Sequence, residues 1–161
     1  MQQGEITIRE ANRGDLAAWI TLRDVLWPGE DHRVECEWIL RVMERAENRG
    51  VGAGTCFLAM LHERGGAPAR VVGIMEGTVR SHADGCEPGV IAFMEGWVVD
   101  PEARRRGVGR ALAERFAEWG RAQGCKEIAS DTYLDNSVGL AAHLALGFEV
   151  VDRAINFKKA L

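Results

Sequence analysis

The spacing of apolar residues changes several times along the chain, and each change marks an element. "EITIRE" (5–10) alternates apolar and polar positions and is rich in β-branched side chains, which predicts a first strand. Leu16, Trp19, Ile20 and Val25 or Leu26 then form a helical stripe. A helix from about Asp15 to Leu26 is expected there, capped by Asn12 or Asp15 and broken by "WPGEDH". A second helix, about Val34 to Asn48, stops at Gly50. "GTCFLAMLHE" and "VVGIMEGTVR" read as two strands of a hairpin joined by "RGGAPAR". After the polar loop "SHADGCEPG", "VIAFMEGWVV" is a long central strand ended by Asp100-Pro101.

From about Arg106 to Gln123 the period becomes helical again, with Leu112, Phe116 and Trp119 on one face and Gly124 as the stop. "CKEIASD" predicts a strand, "NSVGLAAHLAL" a helix capped by Asn136 or Ser137, and "FEVVDRAINFKKAL" one or two final strands. The order β-α-α-β-β-β-α-β-α-β implies an α/β (α+β) fold with one mixed, mostly antiparallel sheet and helices on both faces.

Composition narrows the function classes. The 161 residues, 47 % hydrophobic and 27 % charged, suit one domain spanning 1–161 with a sizeable core. No apolar stretch approaches the roughly 18 residues of a membrane span, and "MQQGEITIRE" lacks the pattern of a secretory leader. Cys36, Cys56, Cys86 and Cys125 form no CxxC pair and the four histidines are scattered, so no metal site is expected and reduced thiols in a cytoplasmic protein are. A net charge of −4 argues against nucleic acid as a partner and suits a cationic substrate.

Within this acidic chain, "RRRGVGRALAERF" (104–116) gathers five arginines at the start of a helix. The first N–H groups of a helix lack intrahelical partners, and its dipole favours negative charge. Gly107 and Gly109 permit close approach, and Arg104, Arg105, Arg106 and Arg110 add positive charge, so the stretch can hold phosphates. A glycine-containing turn with solvated arginines is the alternative. Neither GxxxxGK[ST] nor GxGxxG is present.

Arg104-x-x-Gly107-x-Gly109, after "EGWVVDPEARR" and before an amphipathic helix, resembles the acetyl-CoA motif of the GNAT N-acetyltransferase superfamily. "LDNSVGLAAHLALGFEV" is similar to the second motif of that family, and the element order matches over nearly the whole chain. The resemblance implies a GNAT-like sheet with splayed central strands and acetyl-CoA as cosubstrate. The pyrophosphate would lie against Arg105, Arg106, Gly107, Val108, Gly109 and Arg110, the pantetheine arm along Trp97, Val98 and Val99, and Asn136 at the cofactor. It implies Val98 as the backbone donor to the thioester carbonyl.

"LRDVLWPGEDH", "EIASDTYLDN" and "HLALGFEVVDR" further resemble one branch of the aminoglycoside 6'-N-acetyltransferases. This implies transfer of acetyl to an amino group of an aminosugar antibiotic, with Glu95, Asp131 and Asp152 as acids against a polycationic substrate. It also implies a homodimer in which "INFKKAL" crosses to the second subunit. Another amine (a polyamine, a small metabolite or a protein N-terminus) is the alternative acceptor, and a non-catalytic acyl-CoA sensor is the alternative of another class.

Acetyl transfer requires a deprotonated amine, a polarised carbonyl and close placement of the two. Glu95, in the apolar run "IAFMEGWVV", must face a cleft or a partner, as a base in the first case and a carboxylate paired with a nearby arginine in the second. Gly96 beside it suggests a bulge. Asp131 ends the next strand, as a second catalytic acid or as a turn or cap residue. Glu76 and Glu30 are further substrate-binding candidates, and Trp27 either stacks on a sugar or belongs to the core. His143 stands where many GNAT members carry a tyrosine, either as proton donor or packed on its helix. Tyr133, the only tyrosine, suggests contact or packing.

Overall fold

The computed structural model describes residues 4–63, 65 and 67–160. Parts of the leader reading (1–3), of the hairpin loop (64 and 66) and of the last expected strand (161) lie outside the described residues. Five strands form one sheet in the order β1-β2-β3-β4-β5: β1 (Glu5–Glu10), β2 (Gly54–His62), β3 (Arg70–Arg80), β4 (Ile91–Val99) and β5 (Glu127–Ser130). The first three pairings are antiparallel and β4–β5 is parallel. Four α-helices flank the sheet: α1 (Leu16–Leu26), α2 (Arg33–Met43), α3 (Val108–Ala122) and α4 (Ser137–Ala145).

The alternation of the strands distributes the core over two faces. Phe57 and Met75 pack with Leu112, Phe116 and Trp119 of α3, the stripe expected from sequence. Their neighbours Leu58 and Ile74 face Trp19 and Leu22 of α1 and Leu40 of α2. Helices thus cover both faces.

Several boundaries differ from expectation. Asn12 caps a short 3₁₀ turn, Arg13–Asp15, through a reciprocal capping box with Asp15, and α1 begins only at Leu16. The second helix ends at Met43, five residues before Asn48, because the Asn48 amide pairs with both backbone groups of Gly54 at 2.9 Å and pins the turn to β2. The third helix starts at Val108, since Gly107 adopts φ 80, outside helical space. Residues 148–160 hold no strand and are mostly exposed, whereas one or two strands were expected there. Ile155 and Phe157 are 76 % and 92 % exposed, so the apolar residues that gave that stretch its strand pattern pack against no sheet edge among the described residues, although the outer edge of β5 is open.

Candidate active site

The site opens where β4 and β5 part. Their pairing ends at Met94↔Ser130, while β4 continues to Val99. The β5-facing backbone groups of residues 95–99 therefore look into a gap instead of a ladder, and an unpaired ladder edge recruits an extended partner. This is the splay implied by the resemblance.

A bulge re-aims one side chain into the gap. Glu76 pairs with Gly96, but Gly77 pairs with Met94, leaving Glu95 as the extra residue of β4. Met94 and Trp97, three apart, both pack on the α3 side. Glu95 and Gly96 consequently lie on the α1 side, where both line a cavity of about 800 Å³. The bulge suggested by Gly96 is present.

Glu95 both faces the cavity and has a partner. Its Oε1 accepts from the Thr78 hydroxyl and from Arg80 Nε at 3.1 Å, and its Oε2 accepts from Arg80 Nη2 at 2.6 Å. The Arg80 guanidinium carbon lies 3.4 Å from the Phe93 ring centroid. This clamp holds the carboxylate in one rotamer through charge-assisted hydrogen bonds. Asp131, just past β5, lines the same cavity and is exposed, with no ion-pair partner among the described residues. Tyr133 lies beside it and is 73 % exposed.

The glycine–arginine loop forms the other end of the cavity. Arg105 has φ 59, a conformation uncommon for a side chain other than glycine, and Gly107 follows in the left-handed region. The first intrahelical acceptor is Gly107 O, bonded by Ala111 N at 3.0 Å, so the N–H groups of Val108, Gly109 and Arg110 have no partner within the helix. A Cβ on Gly109 would meet Trp97 Cζ2 at 2.9 Å. Trp97 thus packs directly beneath the loop, and its own Nε1 is buried without a hydrogen-bond partner. Trp97, Val98, Val99, Arg105, Gly107, Val108, Gly109, Arg110 and Asn136 all contribute to the cavity wall. Asn136 also caps α4, accepting from Gly139 N at 2.9 Å.

Four expected positions lie elsewhere. Arg106 does not line the cavity. Glu30, exposed just after the turn at Pro28 and Gly29, lies outside both this cavity and its smaller neighbour. Asp152 lines only that smaller neighbour, which shares Asp131 with the first. Glu76 is not available to a substrate: it is 1 % exposed, with Arg23 Nη1 donating to Oε2 at 2.5 Å and Trp19 Nε1 donating to Oε1. Its position on β3 puts it beneath α1, one layer behind the cavity wall.

His143 lies at the cavity with both ring nitrogens engaged. Nδ1 lies 2.7 Å from Gly139 O, and a carbonyl only accepts, so Nδ1 carries a proton. Nε2 meets Ser130 Oγ at 2.9 Å. The ring stands edge-on to Trp97 and Phe148, with centroids at 5.5 and 5.3 Å. Trp27, at the end of α1, also lines the cavity. Sequence reasoning missed Arg80, Thr78, Ser130 and Arg23. The period of two on β3 would have placed Thr78 and Arg80 on the face of Glu76, but not their pairing across to Glu95.

A cleft of splayed strands, a phosphate-type helix start and a bulged carboxylate describe an acyl-transfer fold. The model of the acetyltransferase (GNAT) family matches residues 19–148. The chain belongs to the GNAT acetyltransferase family. It is an acetyl-CoA-dependent N-acetyltransferase. Among its relatives, the aminoglycoside N(6')-acetyltransferase type 1 of Klebsiella aerogenes is 35 % identical over 157 residues, covering 96 % of each chain. The enzyme of the same name from Stenotrophomonas maltophilia is 36 % identical, covering 96 % of this chain and 94 % of its own. The solved structure of AAC(6')-Iy with the bisubstrate analog CoA-S-monomethyl-acetylneamine superposes with a TM-score of 0.81 at 33 % identity, covering 98 % of this chain and 99 % of its own.

The GNAT acetyltransferase site fits coenzyme A in its donor chemistry. The free N–H groups at the start of α3 and the flanking arginines suit a pyrophosphate. The unladdered edge of β4 suits an amide-bearing arm, and Gly109 leaves the loop low over Trp97. No cluster of residues suited to a metal ion occurs among the described residues.

Proposed function

We propose that this GNAT acetyltransferase acts on aminoglycosides, transferring acetyl from acetyl-CoA to the 6'-amino group, and that the whole chain, 1–161, works as one domain. The observation that carries the reading is the joining, in one cavity, of the helix start of α3 with two carboxylates of different surroundings, Glu95 and Asp131, and an aromatic wall, Trp27. Several acids facing one cavity suit a polycation. The relatives named above, themselves aminoglycoside 6'-acetyltransferases, support the same acceptor.

Acetyl-CoA supplies the activated acyl group. The chain's own residues divide the remaining work. Glu95, held in place by Arg80 and Thr78, anchors an ammonium of the acceptor. Asp131, without such a clamp, takes the proton from the reacting amine directly or through water. Asp100 N donates to Val72 O, so in the register Ile74↔Val98 the expected donor, the Val98 N–H, is taken up by the β3 ladder. A gap-facing N–H of Trp97 or Val99 polarises the thioester carbonyl instead. The amine nitrogen bonds to the carbonyl carbon, the carbon–sulfur bond breaks, and the amine proton goes to carboxylate or water. The departing thiolate needs no protein acid, because a thiol is a fair leaving group near neutral pH.

Two coarser features extend the reading. Val150, Val151, Ile155 and Phe157 leave apolar surface uncovered on the C-terminal segment, which supports a homodimer in which that segment lies on a second copy. The four cysteines are all free, which supports a reducing, cytoplasmic setting.

Thiol release from acetyl-CoA against kanamycin, tobramycin, spermidine and a short peptide tests the acceptor. Turnover with the two aminoglycosides is expected. Turnover with spermidine or the peptide alone would keep the enzyme class and overturn the substrate, and silence across the panel with acetyl-CoA bound would favour a sensor.

A further inference from the structure

The main chain of Trp27 is held on both sides: its N–H donates to Arg23 O at 2.8 Å, and its carbonyl accepts from His32 Nε2 at 2.9 Å. Its ring is held by something else. The Arg23 guanidinium carbon lies 4.7 Å from the indole centroid. Arg23 is itself 8 % exposed and bonded to Glu76, which is 1 % exposed and also bonded by Trp19. At the cavity side the ring abuts Gly96, where a Cβ would lie 2.9 Å from Trp27 Cη2 and 3.1 Å from Glu76 Oε2.

A buried ion pair is a poor way to gain stability, since apolar residues of the same volume do as well or better. Its presence here needs another account, and the cation of the pair, Arg23, lies over the Trp27 indole at the cavity wall. The guanidinium is planar and stacks, which an ammonium cannot do. We propose that Arg23 and Glu76 are positioning residues for acceptor specificity: Glu76 holds Arg23 flat against Trp27, and Arg23 fixes the indole as a rigid wall for ring-shaped acceptors. An aminosugar offers the wall an apolar ring face, whereas an acyclic amine offers none. A wall fixed before binding spares the acceptor the cost of ordering it. The inference rests on the aminosugar reading above and deepens it.

Arg23→Lys keeps a cation beside Glu76 and removes the stacking plane. It is expected to raise the tobramycin KM roughly three- to tenfold, the range of a partly desolvated cation–π contact, and to leave the acetyl-CoA KM unchanged. In a Trp27→Leu background the same substitution is expected to add nothing further, because its effect runs through the ring. Parallel rises in both KM values, or additive effects in the double variant, would overturn the proposal. Glu76→Gln serves as a second variant should Arg23→Lys fold poorly, with the same expected pattern. A readout independent of turnover is the ¹⁹F spectrum of protein carrying 5-fluorotryptophan, with Trp27 assigned through its Leu variant. The Trp27 line should shift and broaden in Arg23→Lys, and an unmoved line contradicts the positioning role. If the parent enzyme acetylates no aminoglycoside, the acceptor reading fails while this spectrum still decides the role of Arg23.

Discussion

Glu95 and Asp131 carry the same functional group into one cavity, yet their neighbours give them different work. Arg80 and Thr78 occupy both oxygens of Glu95, while Asp131 has no basic partner among the described residues. Replacing Asp131 with Asn should therefore lower kcat by about 10²–10⁴-fold, the usual worth of a positioned base, and leave acetyl-CoA affinity by isothermal titration unchanged. Loss of cofactor binding with turnover per bound complex intact would remove Asp131 from the chemistry. The cysteines offer a second test at this scale. Burial, followed by the nearby Glu76 charge, pushes the Cys36 thiol up to about 12, and burial raises Cys56 far above its ordinary value. Thiolate is scarce at both sites near neutral pH, and only half-buried Cys86 should react promptly with a thiol reagent in the native protein. Mass mapping that found Cys36 or Cys56 labelled first would show that the core opens more readily than its packing implies. At this scale the sequence made the carboxylates visible but hid their partners, because Glu76 and Arg23 are 53 residues apart and Glu95 and Arg80 are 15 apart.

Elements were legible where their period was long and regular. The stripe Leu112, Phe116 and Trp119 located α3, and the core confirms that face. Truncating Phe116 to Ala should cost about 3–5 kcal/mol in denaturant unfolding, the range for a buried aromatic. Boundaries were less legible, since they depend on backbone conformation and side-chain ties: Gly107 at φ 80 delays α3, and Asn48 ends α2 early. The entry to α1 depends on a charge. The hydrogen bond from Arg9 holds the Asp15 carboxyl below its ordinary range, with the Asn12 backbone bond adding to it against burial. A folded-state pKa below the unfolded one means the stabilisation is complete above the ordinary carboxylate range and fades as pH falls through the folded value. Asp15→Asn should thus cost about 1–2 kcal/mol at neutral pH and flatten the acid limb of a stability–pH curve. An unchanged acid limb would show that other carboxylates govern acid unfolding.

For the whole molecule, topology places the chemistry. The parallel pairing of β4 with β5 stops at Met94, the bulge turns Glu95 outward, and α3 begins at the end of the turn that follows β4; cofactor loop and acids meet only because of these events together. The motifs announced the loop, and the resemblance carried the splay, but the final strands expected over 148–161 are absent from the described residues of one chain. Apolar alternation alone cannot say whether the edge a strand needs lies in its own chain or in another. Light scattering that gave a dimer for the full chain, and a monomer after removal of the segment from Ile155 onward, would place that edge in a second copy. The central claim concerns which amine is acetylated. Tobramycin carries several amino groups, so the most direct measurement is NMR of the product formed with acetyl-CoA. Acetylation at the 6'-nitrogen is the predicted result, and acetyl on any other nitrogen, or no acetylated product at all, would contradict the account.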